Sequence, residues 1–278
     1  MRAVVLAFLL AASPVPAQTI EEPEGTILGE GRKDGSEAGF REWVTAFRAK
    51  ALEEGVPAAV YDREMRAAEY LPDVVRRDRS QTEFTKTIWD YLDIAVSDER
   101  VRLGRDAVAN HTALLERIEA EYGVDKEIVA AVWGLESAYG TWRGTTDTIS
   151  ALATLAYDGR RAAFFEAQLL QALKILAEGH VARKDMLGSW AGAMGHTQFM
   201  PSSWAEFAVD FDGDGRRNIW GDDPADALAS TANYLRQKGW KPGKGYQEGE
   251  PNFAVIKEWN AAKVYQQAIA IMGARIDG

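Results

Sequence analysis

From Phe40 onward, apolar residues recur at helical rather than strand spacing, and that pattern sets the fold class. Phe40, Trp43, Val44 and Phe47 lie along one side of a helix, and Val56-Pro57 opens a new segment. Phe84 to Val96 and Val101 to Tyr122 read as two further helices, the second carrying a stripe of Leu114, Leu115, Ile118 and Tyr122. Gly123-Val124-Asp125 then leads into a strong helix, with Asp125 placed to cap its first turn. Ile128, Val129, Val132, Trp133 and Leu135 supply its buried side, and it closes near Tyr139-Gly140. Trp142 to Ile149 and Lys241 to Asn252, rich in Gly, Thr and Pro, read as loops. No stretch alternates convincingly as a strand does, and no repeat of solenoid period occurs. The expectation is a mainly α protein whose helices are joined by functional loops.

The other ends of the pattern concern export. Met1 and Arg2 make a short positive end, Ala3 to Ala12 is an apolar run, and Val15-Pro16-Ala17 offers small residues for cleavage. Ten apolar residues are too few to span a membrane. A buried N-terminal helix is the alternative, but Pro14 and Pro16 would stop it. Residues 1–17 therefore read as a signal peptide, 18–39 as a flexible leader rich in Glu and Gly, and 40–278 as the folded domain. The chain has no cysteine, hence no disulfide and no thiol for a lipid anchor; a soluble periplasmic protein is expected. A net charge of −10 weighs against nucleic acid as a partner. The nine Trp residues suit either an ordinary core or a carbohydrate groove, where a flat ring meets a sugar face.

Two segments carry candidate chemistry. Glu136 shares a helical stripe with Val129, Trp133 and Gly140, near the helix end. Partial burial there would raise its pKa and keep it protonated near neutrality, as a general acid requires. Taken alone, such a Glu is usually a solvated rim residue. Further on, Ala191-Gly192-Ala193-Met194-Gly195-His196-Thr197-Gln198-Phe199-Met200-Pro201-Ser202-Ser203-Trp204 is rich in Gly. Its glycines permit close backbone approach, Gln198 supplies an amide, and Ser202 or Ser203 is placed to cap a helix starting near Trp204. A structural turn before a helix is the plainer alternative. The Gly spacing fits no phosphate loop.

Glu136-Ser137-Ala138-Tyr139-Gly140 followed by this run resembles the lytic murein transglycosylases of the membrane-bound B type. The resemblance runs from about Phe40 to the C-terminus. It takes in Phe84-Thr85-Lys86-Thr87-Ile88-Trp89-Asp90-Tyr91-Leu92, Tyr157-Asp158-Gly159-Arg160-Arg161 and an acidic loop. It implies a lysozyme-like catalytic core with additional helices, acting on peptidoglycan glycan strands between N-acetylmuramic acid and N-acetylglucosamine. By position, Glu136 matches the family's acid and base, Gln198 a groove residue, and Arg160 and Arg161 basic residues of the glycan cleft. Tyr91, Trp259 and Tyr265 fall where the family tends to carry aromatic cleft residues, although Trp259 replaces the Tyr more usual before Asn260. The peptidoglycan-binding module of some relatives has no counterpart before Gly278, as a minimal catalytic unit would have it. The implied chemistry closes a 1,6-anhydro ring on the muramic residue and consumes no water. A hydrolytic muramidase and a non-catalytic cell-wall glycan-binding protein remain alternatives.

The acidic loop is Asp210-Phe211-Asp212-Gly213-Asp214-Gly215-Arg216-Arg217-Asn218, with acids at the first, third and fifth places and Gly at the sixth. This is the opening of an EF-hand-like loop, in which carboxylates converge on a hard cation. Gly221 stands where the closing Glu would be, so Asp226 and the backbone carbonyl of Arg216 are the candidates to complete a structural Ca²⁺ site. Similar loops in the family bind calcium. A metal-free turn is the alternative. His111, His180 and His196 lack zinc-ligand spacing and read as structural, and no cofactor is expected in catalysis.

Overall fold

A computed structural model describes residues 35–80 and 88–278. The segment read as signal peptide, most of the leader and Phe84 to Thr87 lie outside them. The chain is mainly helical. Its helices are α1 (Glu37–Glu53), α2 (Ala58–Ala67), α3 (Pro72–Arg79), α4 (Ile88–Ala95), α5 (Asp98–Asn110), α6 (Thr112–Tyr122) and α7 (Lys126–Ser137). After β1 (Thr146–Asp147) come α8 (Thr148–Asp158), α9 (Ala162–Glu178), β2 (Leu187–Gly188), α10 (Pro201–Phe207), α11 (Ala225–Gln237), α12 (Phe253–Trp259) and α13 (Lys263–Asp277).

Local physics explains where the elements depart from the periodicity. Ser36 Oγ accepts the Gly39 N–H at 3.0 Å, so α1 starts inside the stretch read as leader. The single helix expected over Val101 to Tyr122 is two helices broken at His111, and both α5 and α6 pack on α7. Asp125 stands at the start of α7 but caps no amide with its side chain; its carboxylate accepts from Trp240 Nε1 at 3.2 Å. The helix also stops earlier than expected. Ala138 and Tyr139 take left-handed φ of 48° and 58°, so α7 ends at Ser137. Within the segment read as a loop, β1 pairs antiparallel with β2, Thr146 opposite Gly188 and Asp147 opposite Leu187. The expected Ser caps of α10 are absent too. Pro201 opens that helix, and Gln168 from α9 serves instead, accepting the Ser202 N–H at 2.9 Å and donating to Ser202 Oγ at 3.0 Å.

Among the described residues, two apolar clusters form the core. One gathers α1–α3, α8–α10 and the Gly-rich run; Phe40, Trp43, Phe47, Tyr157 and Trp204 are among its buried rings. The other gathers α4–α7 and α11–α13 around Ile128, Val132, Trp133, Leu228 and Ile269. Each has a nearly fully buried central helix: Thr148–Tyr157 of α8 in the first, Glu127–Leu135 of α7 in the second. A helix apolar on every side must sit in the middle of its cluster. Tyr234 and Trp259 pack against both clusters and mark the seam. The loop from Ala138 to Asp147 joins the two central helices across it, and Glu136 stands at its start.

Candidate active site

Glu136 occupies the last turn of α7, partly buried, and its carboxyl meets residues from two other helices. Trp259 Nε1, at the end of α12, donates to Oε1 at 2.9 Å, and Tyr265 O–H on α13 donates to the same oxygen. Tyr91 on α4 is buried and interacts electrostatically with Glu136. Removal from water is the largest influence and pushes the carboxyl from 4.5 up to about 7, against the opposing pull of the Trp259 and Tyr265 donors. With both donors on Oε1, the proton of the neutral acid falls to Oε2. This is an acid half-ionised near neutrality, which can both give and take a proton.

The helix exit is fixed by contacts with the Gly-rich run. Ser137 Oγ donates to the His196 carbonyl at 2.5 Å and accepts the Gly140 N–H at 2.9 Å. His196 Nδ1 accepts from Trp133 Nε1 at 3.2 Å, so Nε2 carries the proton and donates to the Gly221 carbonyl at 2.7 Å. Burial lowers the His196 pKa and favours that neutral ring. A Cβ on Gly140 would stand 2.5 Å from His196 Nδ1, and its φ is +81°, so only glycine fits there. The two left-handed residues before it, neither of them glycine, cost about 1–3 kcal/mol each and persist because these contacts over-determine them. Neither Ser137 nor His196 was assigned a role from the sequence, although both lie within the two motifs that carry the resemblance.

Gln198 also has a positive φ, 55°, and spends both amide hydrogens on the backbone: Nε2 donates to the Gly195 carbonyl at 2.8 Å and the Arg143 carbonyl at 3.1 Å. Its Oε1 is the amide atom left to accept a further hydrogen bond. Arg143 in turn donates to the Trp220 carbonyl at 3.0 Å, to the Gly221 carbonyl and to Asp222 at 3.0 Å. Glu136, Tyr265, Trp259 and Tyr91 are thus brought together, and Gln198 is tied to the loop that follows α7.

Arg160 and Arg161 are brought to each other and to Asp78 of α3, not to Glu136. Arg160 Nε lies 2.6 Å from Asp78 Oδ2 and Arg161 Nη2 2.7 Å from Oδ1, on a carboxylate only 1% exposed. Burial raises the Asp78 pKa, but the two guanidinium groups more than offset it and leave the carboxylate below its ordinary value. Both arginines keep part of their surface in solvent.

In the acidic loop, Asp210, Asp212 and Asp214 each offer a carboxylate oxygen, all within 4.8 Å of one another and all exposed. The same groups shape the turn, Asp210 accepting from Gly213 and Gly215 N–H at 2.8 and 2.9 Å. The clustered carboxylates fit a hard cation. Asp226, expected as a ligand, is buried instead, with Oδ1 bonded to the Phe211 N–H at 2.8 Å and Oδ2 to the Asn218 N–H at 2.7 Å. It braces the loop from beneath rather than joining the cluster. The other two histidines make contacts of their own: His111 packs edge-on against Trp133, and His180 accepts the Arg217 N–H at 3.2 Å.

Comparison with known proteins places this geometry in a family. Residues 39–249 match the transglycosylase SLT domain. Membrane-bound lytic murein transglycosylase B of Escherichia coli is 41% identical over 146 residues, which are 50% of this chain and 40% of that protein. The aligned region thus spans well under two thirds of that relative's length. Among solved structures, SltB3 from Pseudomonas aeruginosa in complex with NAG-NAM-pentapeptide superposes with a TM-score of 0.82 at 38% identity, covering 86% of this chain and 80% of that one. The Escherichia coli lytic transglycosylase Slt35 in complex with calcium has a TM-score of 0.74 at 26% identity, over 84% of this chain and 92% of that one. The chain belongs to the transglycosylase SLT domain family, and its helical core has the lysozyme-like architecture of those structures.

Proposed function

We propose that this protein is a peptidoglycan lytic transglycosylase, with Glu136 acting first as acid and then as base. The observation that carries the reading is one carboxyl held near neutral pKa by burial, with both of its donors on a single oxygen. Most glycosidases set two carboxylates against the scissile bond. In the proposed chemistry one group serves twice, with the substrate's own acetamido group steadying the charge at the anomeric carbon. Glu136 Oε2 gives its proton to the bridging oxygen as the bond from muramic C1 to that oxygen breaks. The carboxylate then takes the proton of the same residue's C6 hydroxyl as O6 bonds to C1. Glu136 is regenerated and water is not consumed. Gln198, Tyr91, Trp259 and Tyr265 would line the sugar groove, and Arg160 and Arg161 would offer their exposed edges to the glycan strand.

Two further parts belong to the same reading. The likeness to glycan-cleaving relatives and the signal-like start support export to the periplasm; no helix among the described residues is long and apolar enough to cross a membrane. Asp210, Asp212 and Asp214, with the Arg216 carbonyl, would hold a structural Ca²⁺, supported by their convergence within 4.8 Å and by the calcium-bound relative. Mass spectrometry of digested sacculi tests the chemistry. Products should carry 1,6-anhydro-muramic ends; reducing ends heavier by one water would establish a hydrolytic muramidase instead.

A further inference from the structure

The exit of α7 is held from a second side by a residue that nothing in the sequence singles out. Arg100 of α5 reaches across to the catalytic helix, where Nη2 donates to the Gly134 carbonyl at 2.9 Å. That carbonyl also accepts the Ala138 N–H at 3.0 Å, the bond that closes the helix before the left-handed turn. In return, Tyr139 O–H donates to the Arg100 carbonyl at 3.0 Å. The Tyr139 ring fits between α5 and α7 because both helices carry a notch. A Cβ on Gly104 or on Gly134 would stand 2.5 Å from the Tyr139 hydroxyl oxygen. Arg100 and Tyr139 therefore form a reciprocal clamp around the turn that immediately follows Glu136.

The same guanidinium lies among the site's tyrosines. It interacts electrostatically with Tyr139, Tyr91 and Tyr265, while Tyr91 and Tyr265 each interact with Glu136. One cation thus borders the helix end that carries the acid and two of the rings that surround it. We propose that Arg100 is a positioning residue for the reaction, pinning the carbonyl end of α7 so that the Glu136 carboxyl stays against Tyr265 and Trp259. Without the clamp, the Gly134 carbonyl keeps only the Ala138 N–H, the turn is braced from the His196 side alone, and the carboxyl's register loosens. A displacement of about 1 Å at a reacting group costs up to roughly a hundredfold in rate. Substrate contacts made elsewhere in the groove stay as they are.

The inference rests on Glu136 as the acid and base, and the experiment separates the two. Initial rates on purified sacculi are measured over a range of substrate concentrations, alongside thermal melting, for wild type, Arg100→Met, Arg100→Lys and Tyr139→Phe. Arg100→Met should melt cooperatively and lose about tenfold or more in kcat, with KM within about twofold. Arg100→Lys, which can still donate to the Gly134 carbonyl, should recover part of that loss. Tyr139→Phe, which opens only the return half of the clamp, should move kcat the same way by less. Wild-type kcat in Arg100→Met overturns the inference, as does an Arg100→Lys no better than Arg100→Met. If Arg100→Met does not fold, Tyr139→Phe decides, and an unchanged kcat there is fatal. A wild-type protein that leaves sacculi intact would instead overturn the reading of Glu136.

Discussion

Glu136 and the Asp210–Asp214 cluster are both acidic sites beside glycine-rich turns, yet the structure treats them in opposite ways. Glu136 is one carboxyl withdrawn from water at a seam between two apolar clusters, its Oε1 held by Trp259 and Tyr265. The cluster is three carboxylates left in solvent, their oxygens folded back onto the amides of their own loop. Burial penalises the charged form, so a lone dry carboxyl becomes a proton carrier. Crowded carboxylates at the surface instead bring several oxygens to one point, the arrangement proposed above to hold a cation. The difference lies in surroundings, not in residue type, and each site breaks under a different perturbation.

The largest expected effect is on Glu136 itself. Glu136→Gln keeps the size and the acceptor for Trp259 and Tyr265 but cannot exchange a proton, so clearing of sacculi should fall by about 10³-fold or more. The same variant sharpens the comparison through stability. The carboxyl ionises near 4.5 when unfolded and about 7 when folded, so the folded state holds the extra proton between those values. Its contribution is complete below about pH 4.5, declines as pH rises and is gone above about 7. At pH 8, Glu136→Gln should therefore melt higher than wild type, by the equivalent of roughly 1–3 kcal/mol, while at pH 4 the two should coincide. A variant less stable than wild type at pH 8 would mean that the carboxyl is not dry.

Next in size is the loss of a donor. Both Trp259 and Tyr265 lower the Glu136 pKa, so Trp259→Phe and Tyr265→Phe should raise it. The alkaline limb of the pH–rate profile, where the acid is lost by ionisation, should then move to higher pH. Turnover should drop about 10- to 100-fold, because the carboxylate formed midway loses a hydrogen bond it needs. A limb that moves to lower pH would break the account of what tunes the acid.

Much of this site was legible in the residues, for a physical reason. Apolar periodicity located α7 and put Glu136 on its buried side, because a helix at the centre of a cluster must be apolar there. Periodicity carries no information on where a helix stops when non-glycine residues adopt left-handed φ, which is why the exit at Ala138 and Tyr139 was misplaced. Caps are similarly opaque when a distant side chain provides them, as Gln168 does for α10. The break at His111 separates two helices whose apolar stripes read as one. Arg160 and Arg161 carry no mark in sequence that their partner is Asp78, some 80 residues earlier along the chain. Long-range pairing of charges is fixed by packing, which local pattern does not encode. The resemblance placed Trp259 and Tyr265 near a cleft, but only the fold shows that both donate to one oxygen of Glu136.

The smallest expected effect falls on the wet site. With a dissociation constant of about 10⁻⁴ M, typical of exposed extracellular calcium sites, ~1 mM Ca²⁺ stabilises the folded state by ~1.4 kcal/mol. For a chain of this size that is a rise of about 3–5 °C in Tm, reversed by EDTA. Asp212→Asn removes one charge from the cluster and leaves the amide contacts of Asp210 and Asp226 in place, so it should abolish the calcium shift with little change in the metal-free Tm. Asp226→Asn should behave the other way round. Both of its oxygens are bonded to loop amides, and one amide N–H₂ would face N–H donors, so the metal-free protein itself should melt lower. If calcium leaves the wild-type Tm unmoved, the three carboxylates only shape a turn. The contrast with Glu136 then narrows to one between a dry acid and a loop-forming one.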